Sequence, residues 1–253
     1  MRQLKNQSGT TLVELIVCMV LLALFTLAAV TLIQPSAQAY MDVQQQTRAQ
    51  NLADALIETI RGEVLDANGY IRFTNGADED TADLDSVFAA QTSYSDGTAL
   101  EFSVYPNHIE LIDKDRVPAL KSAKGEELLS EAQAAELDGY LHMRFYRQDS
   151  GDNSPQHTDA DGNEIAYAYT TAYAKDAYMG MYISELHFYA RSWSQPTTAD
   201  TPRITAMTVV ITVAKRDADG NDVPLCTQRA IIPLPGAPVI LYAPGTWDGT
   251  SGS

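Results

Sequence analysis

Glu14 is the residue of this chain whose type and place most demand a chemical explanation. It stands at the head of a segment, Leu15 to Ile33, that holds no charged side chain. About 20 residues at ~1.5 Å rise match the ~30 Å hydrocarbon core of a bilayer. A carboxylate in such a place costs on the order of 3 kcal/mol on insertion scales and marks a functional site. The chemistry open to it is ion pairing, because a cation brought to it in an apolar medium offsets the desolvation that either charge alone would suffer. Arg2 and Lys5 precede the apolar run and a long acidic part follows it. That asymmetry places the N-terminus in the cytoplasm and the remainder outside.

The residues around Glu14, Ser8-Gly9-Thr10-Thr11-Leu12-Val13-Glu14, resemble the processing site of type IV pilins and of the related pseudopilins of type II secretion and DNA-uptake systems. That family has a short basic leader ending in Gly, then a hydrophobic residue, Thr-Leu, an aliphatic residue, Glu and a long apolar helix. Thr11, Leu12, Val13 and Glu14 fall where the pattern has them. Thr10 departs from it, standing where the family has Phe or another large apolar residue. The resemblance implies that Met1–Gly9 is a leader cut off after Gly9 by a prepilin peptidase/methyltransferase, and that the freed amine of Thr10 is methylated. It implies further that the other partners are the membrane and other pilin subunits, met through the N-terminal helix. Glu14 is then the assembly residue, pairing with the Thr10 amine of a neighbouring subunit.

An ordinary secretory signal is the competing reading, since Ala37-Gln38-Ala39 offers a small-x-small cleavage site. The apolar core of such signals spans ~7–15 residues, shorter than this run, and has no use for a Glu. A membrane-anchored or secreted extracellular binding protein that does not polymerise is the alternative function.

Composition bounds the rest. The 253 residues, 45% hydrophobic and 20% charged, suffice for one membrane helix and one globular head. Loss of Met1–Gly9 removes Arg2 and Lys5, so 17 bases become 15 against 33 acids and the formal charge moves from −16 to −18. Nucleic-acid binding depends on Lys and Arg displacing counterions, so no direct nucleic-acid contact is expected. Cys18 lies in the apolar run and Cys226 deep in the head. A disulfide needs Cα atoms within ~7 Å, and none is expected within one molecule.

The pattern assigns a leader at 1–9, a helix at 10–66 that is transmembrane over about 12–33, and a globular β-rich head at 67–253 with a flexible C-terminal tail. In the second half of the helix Ala49, Ala53, Leu56, Ile60 and Val64 share one face, with Asn51, Asp54, Glu58 and Arg61 opposite. Pro35 either kinks this rod or separates two helices. Beyond Ala67-Asn68-Gly69 the period becomes alternating. Strands are expected at Thr98–Tyr105 and Ile109–Ile112 as a hairpin, then at Tyr140–Arg147, Tyr182–Ala190, Thr205–Ala214 and Leu225–Ile232. Thr208–Val213 is the most β-branched and belongs at the sheet's centre. Residues 121–138 read as a short acidic helix, Gly76–Ser86 and Gln148–Asn163 as exposed loops, and the proline-rich tail after Pro233 as irregular. The fold class is α+β, a long N-terminal helix packed on an antiparallel sheet.

Other chemistry is sparse. Asp159–Glu164 and Asp217–Asp222 are near-duplicates, but an EF-hand loop wants Gly at its sixth position and here it is fourth. Asp-Gly reads better as a hairpin turn. His142 and His187 are placed in strands facing solvent or a neighbour, and His108 and His157 in turns or loops. The tyrosines of Ala166–Tyr173 read as half-buried strand residues or as a binding surface. No catalytic motif is present, so a structural protein without catalytic residues, cofactor or metal is expected.

Overall fold

The computed structural model describes residues 11–74, 96–104, 108–115, 120–122, 124–147, 164–166, 168–194 and 203–240. Helix α1 (Leu12–Val64) contains Pro35, which therefore does not separate two helices. The chain forms two compact units, residues 1–47 and 48–253. In the first, every described side chain from Thr11 to Gln44 is exposed. In the second, α1 turns amphipathic, with Ala49, Ala53, Leu56, Ile60 and Val64 fully buried and Asn51, Asp54 and Glu58 exposed. Burying a Leu or Ile contributes ~1.5–3 kcal/mol, so this stripe, more than helix propensity, fixes the helix end in the head.

The strands follow in order as β1 (Tyr70–Thr74), β2 (Asp96–Gly97), β3 (Ala99–Val104), β4 (His108–Asp113), β5 (Leu120–Lys121), β6 (Glu127–Leu129), β7 (His142–Arg147) and β8 (Glu164–Ile165). A short helix α2 (Glu131–Ala135) stands between β6 and β7. Then come β9 (Ala168–Thr171), a 3-10 turn at Lys175–Tyr178, β10 (Tyr182–Ser194), β11 (Arg203–Arg216), β12 (Asp222–Pro233) and β13 (Val239–Ile240). Ten strands form one sheet in the order β2-β10-β11-β13-β1-β3-β4-β7-β9, with β12 also on β11, and β6-β5-β8 form a second, smaller sheet. All pairs in the large sheet are antiparallel except β1 with β13.

The expected hairpin is β3–β4, with Leu100 opposite Ile112. The β-branched β11 is hydrogen-bonded to β10 on one edge and β12 on the other, so it is central as its composition requires. Alternation along the strands divides two cores. Ile71, Phe73, Leu100, Phe102, Met143 and Val209 share a core with the buried stripe of α1. On the far face Tyr70, Ile109, Leu111 and Tyr146 pack with Leu120, Leu129, Ala134 and Ala166 of the small layer.

The structure corrects three expectations. Leu141–Arg144 is buried on both faces, so His142 is fully buried and does not face solvent. The acidic helix expected over 121–138 shrinks to α2, because Leu129 joins β6 and the helix starts only where Ser130 and Gln133 form a capping box. The described start of the tail is not irregular throughout, since it returns to the sheet as β13. Leu234 to Ala237 make a turn, and Val239 N–H donates to Gly69 O at 2.9 Å as β13 enters between β1 and β11.

This strap, residues 234–240, has two conformational demands. A Cβ at Gly236 would collide with the carbonyl of Ala67, so only glycine fits. Ala237 sits at φ 44°, in the left-handed region, which costs an L-residue roughly 1–2 kcal/mol. Ala237→Gly relieves that strain at an entropic cost of ~0.5–1 kcal/mol. The expected outcome is a gain of about 0.5 kcal/mol, read as a higher urea midpoint at unchanged m-value. The loops Gly76–Ser86 and Gln148–Asn163 lie outside the described residues.

Candidate functional site

The site is built from the start of α1. Thr11 precedes the first helical residue, and its Oγ1 accepts a hydrogen bond from Glu14 N–H at 3.3 Å. Thr11 therefore caps the helix and Glu14 takes the third helical position, where a carboxylate favours the positive end of the macrodipole. The Thr-x-x-Glu spacing carried that signal in the sequence, as one half of a capping box. Gly9 and Thr10 lie outside the described residues.

After Glu14 the helix exposes no charged side chain up to Ile33, and its surface there is mostly apolar. Leu12 is 77% exposed and Phe25 79%, and exposed large apolar side chains continue through Val30 and Ile33 to Tyr40, Met41 and Val43. The polar groups inside the run satisfy themselves. Thr26 Oγ1 donates to Leu22 O at 3.0 Å and to Ala23 O at 2.9 Å, and Thr31 Oγ1 donates to Ala28 O at 2.9 Å. Such back-bonding lets a hydroxyl enter hydrocarbon without a stranded donor. The carboxylate of Glu14 has no comparable local solution, because it needs a cation or water. Helix α1 is therefore long and apolar enough to cross a membrane, with Glu14 in its first turn.

The head places the remaining candidate residues in structural roles. Asp217 Oδ1 accepts from Asp219 N–H at 2.9 Å and Asn221 N–H at 2.8 Å. Those backbone donors hold its carboxyl below the usual carboxylate range and make Asp217–Asp222 a hairpin turn between β11 and β12. Asp159–Asn163 lies outside the described residues, and so does His157. Among the described residues no group of three or more His, Cys, Asp or Glu could hold a metal. Cys18 and Cys226 are free thiols, Cys18 exposed and Cys226 half-buried.

His142 Nε2–H donates to Asp115 O at 2.8 Å, and burial, helped by Arg144, pushes its pKa down to about 3. It is a neutral core residue. His187 Nε2 stands 3.4 Å from Asp96 Oδ2, and His108 pairs with Glu110 on β4. Tyr169 in β9 is half-buried, as the strand reading has it, and its phenol is pushed up to about 12 by burial. Tyr178 is fully buried, its hydroxyl accepting from Leu141 N–H at 3.1 Å.

Sequence reading missed a buried polar layer on the sheet face away from α1. Tyr70 OH donates to Glu101 Oε1 at 2.9 Å, and Arg72 Nη2 reaches the same oxygen at 2.7 Å. Arg144 pairs with Asp113 beside them. Arg72, Glu101, Asp113 and Arg144 are all at most 5% exposed. These pairs tie neighbouring strands of the large sheet together, β1 to β3 and β4 to β7, and leave the first unit as the chemically distinctive part.

No curated protein and no solved structure matches the chain. Over residues 4–30, however, it carries the prokaryotic N-terminal methylation motif, the prepilin leader signature of type IV pilins and pseudopilins.

Proposed function

We propose that the protein is a structural subunit, a minor pilin or pseudopilin, of a type IV pilus-like filament. It is made as a precursor held in the cell membrane with its N-terminus in the cytoplasm and its head outside. A prepilin peptidase cuts after Gly9 and the exposed amine of Thr10 is methylated. Subunits then leave the bilayer and bury their helices against one another, so that the head stands on a cell-surface filament. The observation that carries this reading is the exposed apolar face of α1 from Leu12 to Val43 with one acid, Glu14, in its first turn. Exposed apolar surface on this scale requires lipid or another helix.

Apolar burial supplies adhesion and the carboxylate selects register. In a core of aligned helices the Thr10 ammonium and the Glu14 carboxylate each carry a desolvation cost that pairing offsets. A one-residue axial slip leaves both unmatched. The head, carrying about 200 of the chain's residues, exceeds what a small packing subunit needs, which favours the minor or pseudopilin role.

Intact mass spectrometry of the protein from its host tests the reading. The expected species lacks Met1–Gly9 and carries one added methyl group. A chain retaining its first nine residues overturns the proposal, and a mature N-terminus at Tyr40 assigns the chain to the secretory route.

A further inference from the structure

Strand β12 is the longest open edge among the described strands. It pairs with β11 along its whole length, and no other described strand lies beyond it. Leu234 N–H donates to Thr205 O at 2.8 Å. By antiparallel alternation the even-numbered residues from Cys226 to Ile232 therefore bond to β11, while Thr227, Arg229 and Ile231 turn their N–H and C=O groups outward. Pro233, which has no N–H to give, falls in the outward set. All three outward residues are exposed, Ile231 by 48%. Edges of this kind are ordinarily blunted by charges, prolines or bulges. Here those devices stand at the two ends, a bulge beside Pro224 and then Pro233, and Arg229 is the one charge between them. A polar track runs to the same edge on the sheet face opposite Ile211 and Val213. Thr212 Oγ1 donates to Glu185 Oε2 on β10 at 3.0 Å and lies 3.0 Å from Thr227 Oγ1. Because Thr212 commits its proton to Glu185, Thr227 is the donor in the second bond. The Thr227 oxygen is left to accept from a donor beyond the edge.

We propose that two copies of this chain join edge to edge through β12, antiparallel about a two-fold axis at Gln228, so that Thr227 of each copy faces Arg229 of the other. In this register the outward N–H and C=O groups of Thr227 and Arg229 bond to their opposites, and Ile231 of each copy is covered by Leu225 of the other. The Arg229 guanidinium of one copy extends over Thr227 of the second toward Glu185, and the symmetry repeats the contact in reverse. An edge that carries both halves of an ion pair, matched under a two-fold axis, selects a second copy. Neighbouring registers are poorer. One centred on Arg229 sets like charges directly opposite. One centred on Ala230 sets Thr227 against Pro233, where the ladder loses a donor. One centred on Thr227 draws Pro224 and the bulge into the pairing. The axis stands normal to the sheet, so the paired strands, and the α1 segment packed on them, run in opposite directions in the two copies. The contact therefore joins heads that face one another. It is separate from the packing of aligned α1 helices and does not rest on cleavage or filament growth.

Site-specific cross-linking of the full-length precursor in detergent micelles tests the pairing. In a Cys18→Ser, Cys226→Ser background, Gln228→Cys puts one thiol at the axis. Directly opposed residues there have Cα atoms about 4.5 Å apart, within reach of a disulfide. Ile231→Cys in the same background is the control, because its counterpart lies roughly 20 Å away along the paired strand. Each linking rate under mild copper-phenanthroline oxidation is divided by the rate of the same thiol with iodoacetamide. Gln228→Cys is expected to link at least ~10-fold faster than Ile231→Cys, since a disulfide requires Cα atoms within ~7 Å. Adding Arg229→Glu should lower that rate about tenfold or more, because it sets like charges across the pair twice. Adding Glu185→Arg as well should restore it. A urea midpoint equal to that of the parent checks that each variant is folded. Equal linking at the two positions, or none at either, overturns the pairing. Linking of Gln228→Cys that is indifferent to Arg229→Glu overturns the charge-matched register and the proposal with it.

Discussion

Glu14→Gln is expected to leave the precursor in the membrane and cut after Gly9, yet to lower its incorporation into sheared surface filaments by about a hundredfold or more. Removing one partner of a buried ion pair costs roughly 3–5 kcal/mol, because the remaining charge stays buried and uncompensated. At ~1.4 kcal/mol per tenfold that exceeds two decades. The substitution is a clean probe because glutamine serves as well as glutamate at the third helical position of a cap. The hydrogen bond from residue 14 N–H to Thr11 Oγ1 does not involve the side chain of Glu14 and survives.

Magnitude also separates pairing between subunits from pairing within one. Thr10 and Glu14 are four residues apart in the sequence, and an exposed pair at that spacing on a helix is worth only ~0.2–0.5 kcal/mol. Loss of such an internal contact would lower incorporation by less than about threefold. Incorporation equal to wild type would mean that the carboxylate has no positive partner in the assembled state.

The parts of the molecule legible in the sequence are those in which one periodic pattern meets one environment. The stripe Ala49, Ala53, Leu56, Ile60, Val64 could be read because α1 there is buried on one side and solvated on the other. The position of β11 followed from its β-branched run. Tyr140–Arg147 misled because its alternation of apolar and polar residues is what a half-solvated strand shows. Here the polar set, His142, Arg144 and Tyr146, is buried under strands of two or three residues. Elements that short have no measurable period, so the layer that hides the charges left no trace in the pattern. The strap after Pro233 was illegible for a related reason. Its prolines and glycine announce a turn, but nothing in Val239-Ile240 says that two residues will close the gap between β1 and β11. At the N-terminus the chemistry-bearing signal was local, and Thr11-x-x-Glu14 specifies both a helix cap and the place of the carboxylate.

The buried pair Asp113–Arg144 carries the second large expectation. Arg144 is 1% exposed and lies among the largest fully buried side chains of the head. Its guanidinium reaches Asp113 from the neighbouring strand, where Leu111 is its direct opposite and His142 faces Asp113. Asp113→Ala leaves a permanently charged guanidinium under the small layer, since arginine cannot shed its proton. His142 offers no substitute counter-charge, because an imidazole is neutral or cationic and Arg144 itself disfavours its protonation. The expected loss is about 3–5 kcal/mol of unfolding free energy, read as a lower urea midpoint for the full-length protein in detergent. Against a typical total of ~5–15 kcal/mol, that leaves the head marginal. The double variant Asp113→Leu with Arg144→Met should regain most of the loss, because an apolar pair of similar volume avoids both desolvation costs. That contrast makes the argument specific to charge. A cavity or packing defect at Asp113 would persist in the double variant, whereas an orphaned charge disappears with Arg144. A single variant within ~1 kcal/mol of wild type would show that other groups around Arg144 compensate its charge without Asp113.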